Sequence, residues 1–172
     1  MRTQIPVLYM QAFAARPPRE VVIAITKDPQ GKYNPITLGM FTHVSFDPPI
    51  IVIAINLENY SLEAIRHARE FTIALPSVAH AHEASVWGTR SGRDCDKLTL
   101  TATKTIPATK IDSVLLPDAA ANFECKLIAE APAGAGPHVV LFAEVIASHI
   151  ATTPVDRLYI LGPGHRMGGL HE

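Results

Sequence analysis

The chain has 172 residues, which fits one domain with its own core and no need of a metal or disulfide staple. Hydrophobic residues make up 48% and charged residues 18%, which excludes disorder as the main state and suggests apolar surface for a partner subunit to cover. With 15 basic against 16 acidic residues, a net charge of −1 and no dense Lys/Arg run, nucleic acid is excluded as the expected partner.

Short runs rich in Val, Ile and Thr, set between 14 prolines, read as strands. In chain order they are Val21–Thr26, Pro35–Phe41, Ile50–Asn56, Phe71–Leu75, Phe123–Glu130 and Val139–Ile150. Asp28-Pro29-Gln30-Gly31 carries the preferences of a type I turn and joins the first two as a hairpin. Ile50–Ile55 is apolar at every position, which predicts burial on both faces. The run Pro48–Asn56 is the longest of its kind and too short to cross a bilayer. Ser61 is placed to cap a helix with Leu62, Ile65 and Ala68 inward, and with Glu63–His67 and Arg66–Glu70 pairs outside. A weaker helical stretch covers Val78–Trp87. Alternation along Phe123–Glu130 turns Phe123, Cys125, Leu127 and Ala129 toward the core. The expected fold is a single mainly β domain over residues 1–172, a barrel or sandwich with a few short helices.

Met1–Pro6 lacks the apolar run of a secretory signal, so the expected compartment is the cytoplasm, with Cys95 and Cys125 as free thiols. The glycine-rich stretch Gly162–Gly169 has no helix after it and reads as a flexible or subunit-clasping tail, not a dinucleotide cradle. His80-Ala81-His82 is the one close histidine pair and reads as surface, without zinc-ligand spacing around it. No nucleophile elbow or Walker-type loop is present.

Two segments carry chemistry. Asn34 through Pro49 sets Asn34, Thr37 and Ser45 beside a glycine and a strand before a double proline. Trp87–Leu98 contains Ser91-Gly92-Arg93 with Lys97 four residues on: a hydroxyl, a permissive backbone and fixed positive charge, the combination a phosphate dianion needs.

In this order and spacing the chain resembles the flavin reductase-like FMN-binding split-barrel family, its flavoredoxin branch in particular. Four blocks from about Pro18 to Ile150 carry the resemblance: Val22–Thr26, Asn34-x-x-Thr37 through Ser45-x-Asp47-Pro48-Pro49, Ser61 before Glu70-Phe71, and Ser91-Gly92-Arg93-Asp94-x-Asp96-Lys97. The resemblance implies a Greek-key split β-barrel, a homodimer, and FMN bound without a covalent bond near the subunit interface. It implies that Asn34, Thr37, Met40, Phe41, Thr42 and Ser45 line the ring and ribityl side. Asn56 and Ser61 stand at a neighbouring strand end and helix start, while Ser91, Arg93 and Lys97 serve the phosphate or ribityl end. Gly136-Pro137-His138-Val139 resembles the family's turn before a long strand and brings His138 to the flavin mouth, with Pro137 in place of the usual acid. The implied activity is an FMN-dependent oxidoreductase using NAD(P)H, with flavin, iron or a redox protein as acceptor. The alternative is an FMN electron carrier that does not use nicotinamide.

Overall fold

The computed structural model describes residues 4–170. The first half runs α1 (Tyr9–Phe13), β1 (Arg19–Glu20), β2 (Val22–Lys27), β3 (Tyr33–Leu38), β4 (Phe41–Phe46), β5 (Pro49–Asn56), α2 (Tyr60–Ala68) and β6 (Glu70–Leu75). After a short turn of helix at Val78–His80 come α3 (Ala81–Thr89), α4 (Lys97–Thr101), β7 (Ile106–Pro107) and β8 (Val114–Leu115). Two long strands, β9 (Ala121–Pro132) and β10 (His138–Ile150), precede β11 (Tyr159–Ile160) and β12 (Met167–Gly168). Among the described residues no helix is long and apolar enough to cross a membrane.

Seven strands form one antiparallel sheet in the order β3-β2-β6-β9-β10-β5-β4. Its two edges, β3 and β4, are consecutive in the chain and only Gly39 and Met40 separate them. The sheet curls around one core to which β2, β3, β5, β6, β9 and β10 all contribute, and the link continues the β4–β5 ladder, the Met40 carbonyl accepting from Ala54 N at 3.2 Å. The sequence reading ran one strand through Pro35–Phe41; the chain instead breaks at Gly39 and starts a second strand. The Asp28 turn closes as expected: Gly31 N donates to Asp28 O at 2.9 Å, and Gly31 takes the left-handed φ of 81°.

The interior of the curled sheet holds Val22, Ala24, Ile51, Ile53, Ile55, Phe71, Ile73, Cys125 and Leu141, closed at one side by Leu62 and Ile65 of α2. A second core outside it packs Ile23, Ile25 and Ala74 against Trp87 and Ala84 of α3 and Leu158 and Ile160 near the C-terminus. Three expectations need correction. Ile51, Ile53 and Ile55 are buried, but Ile50, Val52 and Ala54 are only half-buried, because no second layer among the described residues covers that face. Ala129 is exposed, since β9 has by then run past the interior. On α2, Glu63 pairs with Arg93 and Arg66 with Glu130, while Glu70 accepts from Asp112 N; long-range partners replace the expected pairs along the helix.

The C-terminal stretch is not a loose tail. β12 pairs with β11, which pairs with β1, in a separate three-stranded sheet. His80 is buried, its Nδ1 3.0 Å from Ser77 Oγ, whereas His82 is exposed. The pair is thus divided between core and surface.

Candidate functional site

Two clefts meet on the β3 side of the sheet. The first, about 210 Å³, lies between Thr37 of β3, the start of α2 at Glu58–Ser61, and the end of α3 with its following loop, Trp87–Gly92. Lys97 forms its inner wall. The second, about 330 Å³, is lined by Arg19, Gly39, Met40, Ala84, Ile160, His165 and Met167 among others. Thr37, Gly88 and Thr89 line both, so the two are arms of one groove.

Lys97 decides the character of the first arm. The residue is 3% exposed, and its Nζ donates only to the Trp87 carbonyl, at 3.4 Å. The Trp87 indole N–H returns a bond to the Lys97 carbonyl at 3.3 Å, so the two residues clasp each other. Among the described residues no carboxylate pairs with this ammonium. Burial lowers its pKa to about 8. A buried cation without a counter-ion is costly unless a ligand supplies one.

The hydroxyls around it are set as donors. Ser61 Oγ accepts from Asn34 Nδ2 at 2.8 Å, which leaves its O–H free to donate. Ser91 Oγ accepts from Arg93 N at 3.2 Å and is left in the same state. Thr37 has spent its proton on Ala84 O at 2.7 Å, so its oxygen can only accept. Ser61 does not cap α2 as expected: the helix starts one residue earlier, at Tyr60, after Asn59, whose side chain makes no capping bond. The opening turn of α2 therefore faces the cleft with N–H groups uncapped by side chains, a setting that favours anions. Gly92 lets the loop approach; a Cβ there would collide with Asn34 Oδ1 and stand 2.8 Å from Tyr60 Cδ1.

The structure thus gathers Thr37, Ser61, Ser91 and Lys97 in one arm, with Asn34 behind Ser61, and puts Met40 in the other. Arg93 points elsewhere. Its guanidinium is exposed, donates to Glu58 O and Glu63 Oε2 at 3.2 Å each, and lies 5.1 Å from the Tyr60 ring centroid. It lines a separate recess with Asp28, Gln30 and Lys32. Asp96 caps α4 by accepting from Thr99 N at 3.0 Å. Phe41 packs on the interior core, while Thr42 is exposed and Ser45 half-buried farther along β4. Asn56 and His138 face each other across β5 and β10, and neither lines the groove. The sequence reading missed Arg90, Arg19, His165 and Met167. Arg90 sat inside the singled-out Trp87–Leu98 segment beside Ser91; the other three enter only through the pairing of β1, β11 and β12.

The sequence profile described as "Flavin reductase like domain" matches residues 14–166. The chain belongs to this family. The fold is shared with flavoredoxin of Desulfovibrio vulgaris (Miyazaki F), at TM-score 0.84 and 19% identity over 100% of this chain and 94% of that one. Flavoredoxin from Methanosarcina acetivorans gives 0.85 and 18%, covering 99% and 93%. An FMN-binding protein from Thermus thermophilus with bound 1-cyclohex-2-enone gives 0.82 and 17%, covering 98% and 96%. An uncharacterized protein of Archaeoglobus fulgidus is 24% identical over 115 residues, 67% of this chain and 64% of that relative's length.

The groove fits a flavin mononucleotide on its own chemistry. Lys97, Arg90, the Ser61 and Ser91 hydroxyls and the start of α2 suit a terminal phosphate. Met40, Ile160, Met167 and Ala84, with bare backbone at Gly39 and Gly88, suit a flat apolar ring.

Proposed function

We propose that the chain binds FMN in this groove and works as an FMN-dependent oxidoreductase, reduced by NAD(P)H and delivering electrons to a small molecule or a redox protein. The observation that carries the reading is Lys97: a buried ammonium with no carboxylate partner among the described residues, facing a cleft lined with hydroxyl donors. The FMN-binding relative of the same fold supports flavin as the ligand.

When bound, the flavin supplies the hydride and electron chemistry. The chain's own residues bind and orient. Lys97, Ser61 and Ser91 hold the phosphate end, Thr37 accepts from a ribityl hydroxyl, and the second arm's apolar walls exclude water from the ring. Asn34 keeps Ser61 turned as a donor. Arg93 stands at the edge of this arrangement.

The remaining parts of the reading follow the family. The curled sheet is read as a split β-barrel and residues 1–172 as one flavin-binding domain in the cytoplasm. A homodimer is read from the half-buried outer face of β5 and β10, where Val52 pairs with Phe142 and Ala54 with Val140 with no full cover from the described residues. Asn56 and His138 lie on β5 and β10, and Thr42 and Ser45 on β4 beside them, so a second copy docked there brings them toward the flavin mouth.

Titration of apo-protein with FMN, FAD and riboflavin tests the cofactor, with FMN expected to bind tightest. Tighter FAD would overturn the single-phosphate reading. Anaerobic mixing with NADH and NADPH tests the reaction: bleaching within seconds supports the reductase. A flavin spectrum that persists with both, yet bleaches with dithionite, makes the chain a carrier. Sedimentation of a monomer with full FMN occupancy would remove the shared-site dimer.

A further inference from the structure

The second arm ends in an unpaired cation. Arg19 lines it, half-buried, and among the described residues no carboxylate pairs with its guanidinium. Glu20, the nearest acid along the chain, is bonded to Arg157 at 3.0 Å. The guanidinium rests on bare backbone at Gly39, where a Cβ would stand 3.3 Å from Nη1. Its other flank is the Phe13 ring, 5.3 Å away, which Arg16 also approaches at 5.5 Å. Burial, and then the like charge of Arg16, lower its pKa, yet a guanidinium stays charged at any physiological pH. A fixed positive charge thus stands over the Gly39–Met40 link, beside the apolar walls that suit a ring, and nothing on the described chain neutralises it.

Resting on the flavin reading above, we propose that Arg19 holds the negative charge that the flavin ring acquires on reduction. Two electrons and one proton leave the ring with one net negative charge, and a second proton cancels it. A cation beside the ring favours the charged form, so the bound flavin takes up one proton per two electrons. The oxidised ring is neutral and gains little from Arg19. The reduced ring is therefore bound more tightly than the oxidised one. His165 lines the same arm and Arg16 is the second cation near it, while Lys97, Arg90, Glu58 and Tyr60 line the other arm.

Equilibrium titration of the FMN-loaded chain with dithionite reads this directly. Each proton taken up per two electrons moves the midpoint potential by about 30 mV per pH unit. The wild-type chain is expected to follow the one-proton slope below neutrality, where a ring without a nearby cation takes both protons. Arg19→Gln is expected to restore the two-proton slope and to cut the preference for reduced over oxidised flavin about tenfold, a fall of about 30 mV. Arg19→Lys should keep most of that preference, and His165→Gln should leave the slope unchanged. Affinity for oxidised FMN, read by fluorescence quenching, should stay within about twofold in Arg19→Gln. A two-proton slope in the wild type overturns the proposal, and so does an Arg19→Gln variant that binds FMN with an unchanged midpoint. Should that variant not fold, the wild-type slope still decides. A wild-type chain that retains no FMN overturns the flavin reading itself, and the role of Arg19 falls with it.

Discussion

Lys97 and Glu124 are both buried charges, and the chain surrounds them in opposite ways. Glu124 accepts from Thr109 N at 2.8 Å, Thr109 Oγ1 at 2.7 Å and Lys110 N at 2.6 Å, and faces His149 Nε2 at 2.7 Å. Burial pushes its pKa up, but the bonds from Thr109, His149 and Lys110 outweigh it and bring the carboxyl down to about 2. Lys97 has one carbonyl at 3.4 Å, and its pKa goes down to about 8 because its charged form is unsupported. The first shell is complete and ties the 109–110 segment to β9. The second is incomplete and lines a groove.

Breaking the complete shell gives the largest effect. Glu124→Ala strands the Thr109 and Lys110 N–H groups, at a cost of about 3 kcal/mol in urea unfolding. Acid titrates the same contribution. The folded pKa of Glu124 lies below the unfolded value, so the unfolded chain binds more protons between the two. Stability from this group is full above about pH 4.5 and is lost as pH falls toward 2; Glu124→Gln should flatten that limb. A Glu124→Ala chain as stable as wild type would show that the shell holds nothing.

Removing the unsupported charge should act the other way. Lys97→Met relieves a desolvation cost, so the apo-chain should be as stable as wild type or more so by about 1 kcal/mol. FMN affinity should fall roughly 10- to 100-fold, the size of a charge-assisted bond. Riboflavin, which has no phosphate, should bind as before. Equal losses for the two flavins would assign Lys97 to the ring or the fold.

Alkaline pH sharpens the contrast without a substitution. Lys97 is charged in the apo-fold below about pH 8 and neutral above it. A bound phosphate would raise its pKa again, so FMN affinity should be flat below pH 8 and about tenfold weaker at pH 9. Over the same range the unfolded chain holds the proton longer, so Lys97 makes the apo-fold more stable as pH rises from about 8. Lys97→Met should abolish both trends.

How much of this was legible in the sequence depends on the range of the interaction. The Asp28 turn, the inward Cys125, the β2–β3 hairpin and the long β10 follow from turn chemistry and period-two patterning, which are local. Ser61, Ser91, Thr37 and Lys97 were found as residue types and do meet. What could not be read was which side chain is already paired. Glu63 takes Arg93 and Glu20 takes Arg157, across 30 and 137 positions, and these bonds decide which cations remain free. The half-exposed face of β5 was misread for a related reason: an apolar run looks the same whether its cover comes from its own chain or another.

Arg93 carries the smallest expected effect. Its sequence position beside Gly92, four residues from Lys97, makes it a candidate for the phosphate together with Ser91 and Lys97. In the fold its guanidinium is divided between Glu63 and Glu58 O in an exposed setting, with side-chain exposures of 51% and 57% for the Arg93–Glu63 pair. Water screens such a pair, and its loss changes stability by less than about 1 kcal/mol. Arg93→Ala should therefore weaken FMN by no more than about threefold, through a looser Gly92 loop, with riboflavin affected to a similar degree. A phosphate-specific loss of roughly tenfold or more would mean that Arg93 leaves Glu63 when ligand arrives, and Glu63→Gln should then tighten FMN by freeing it.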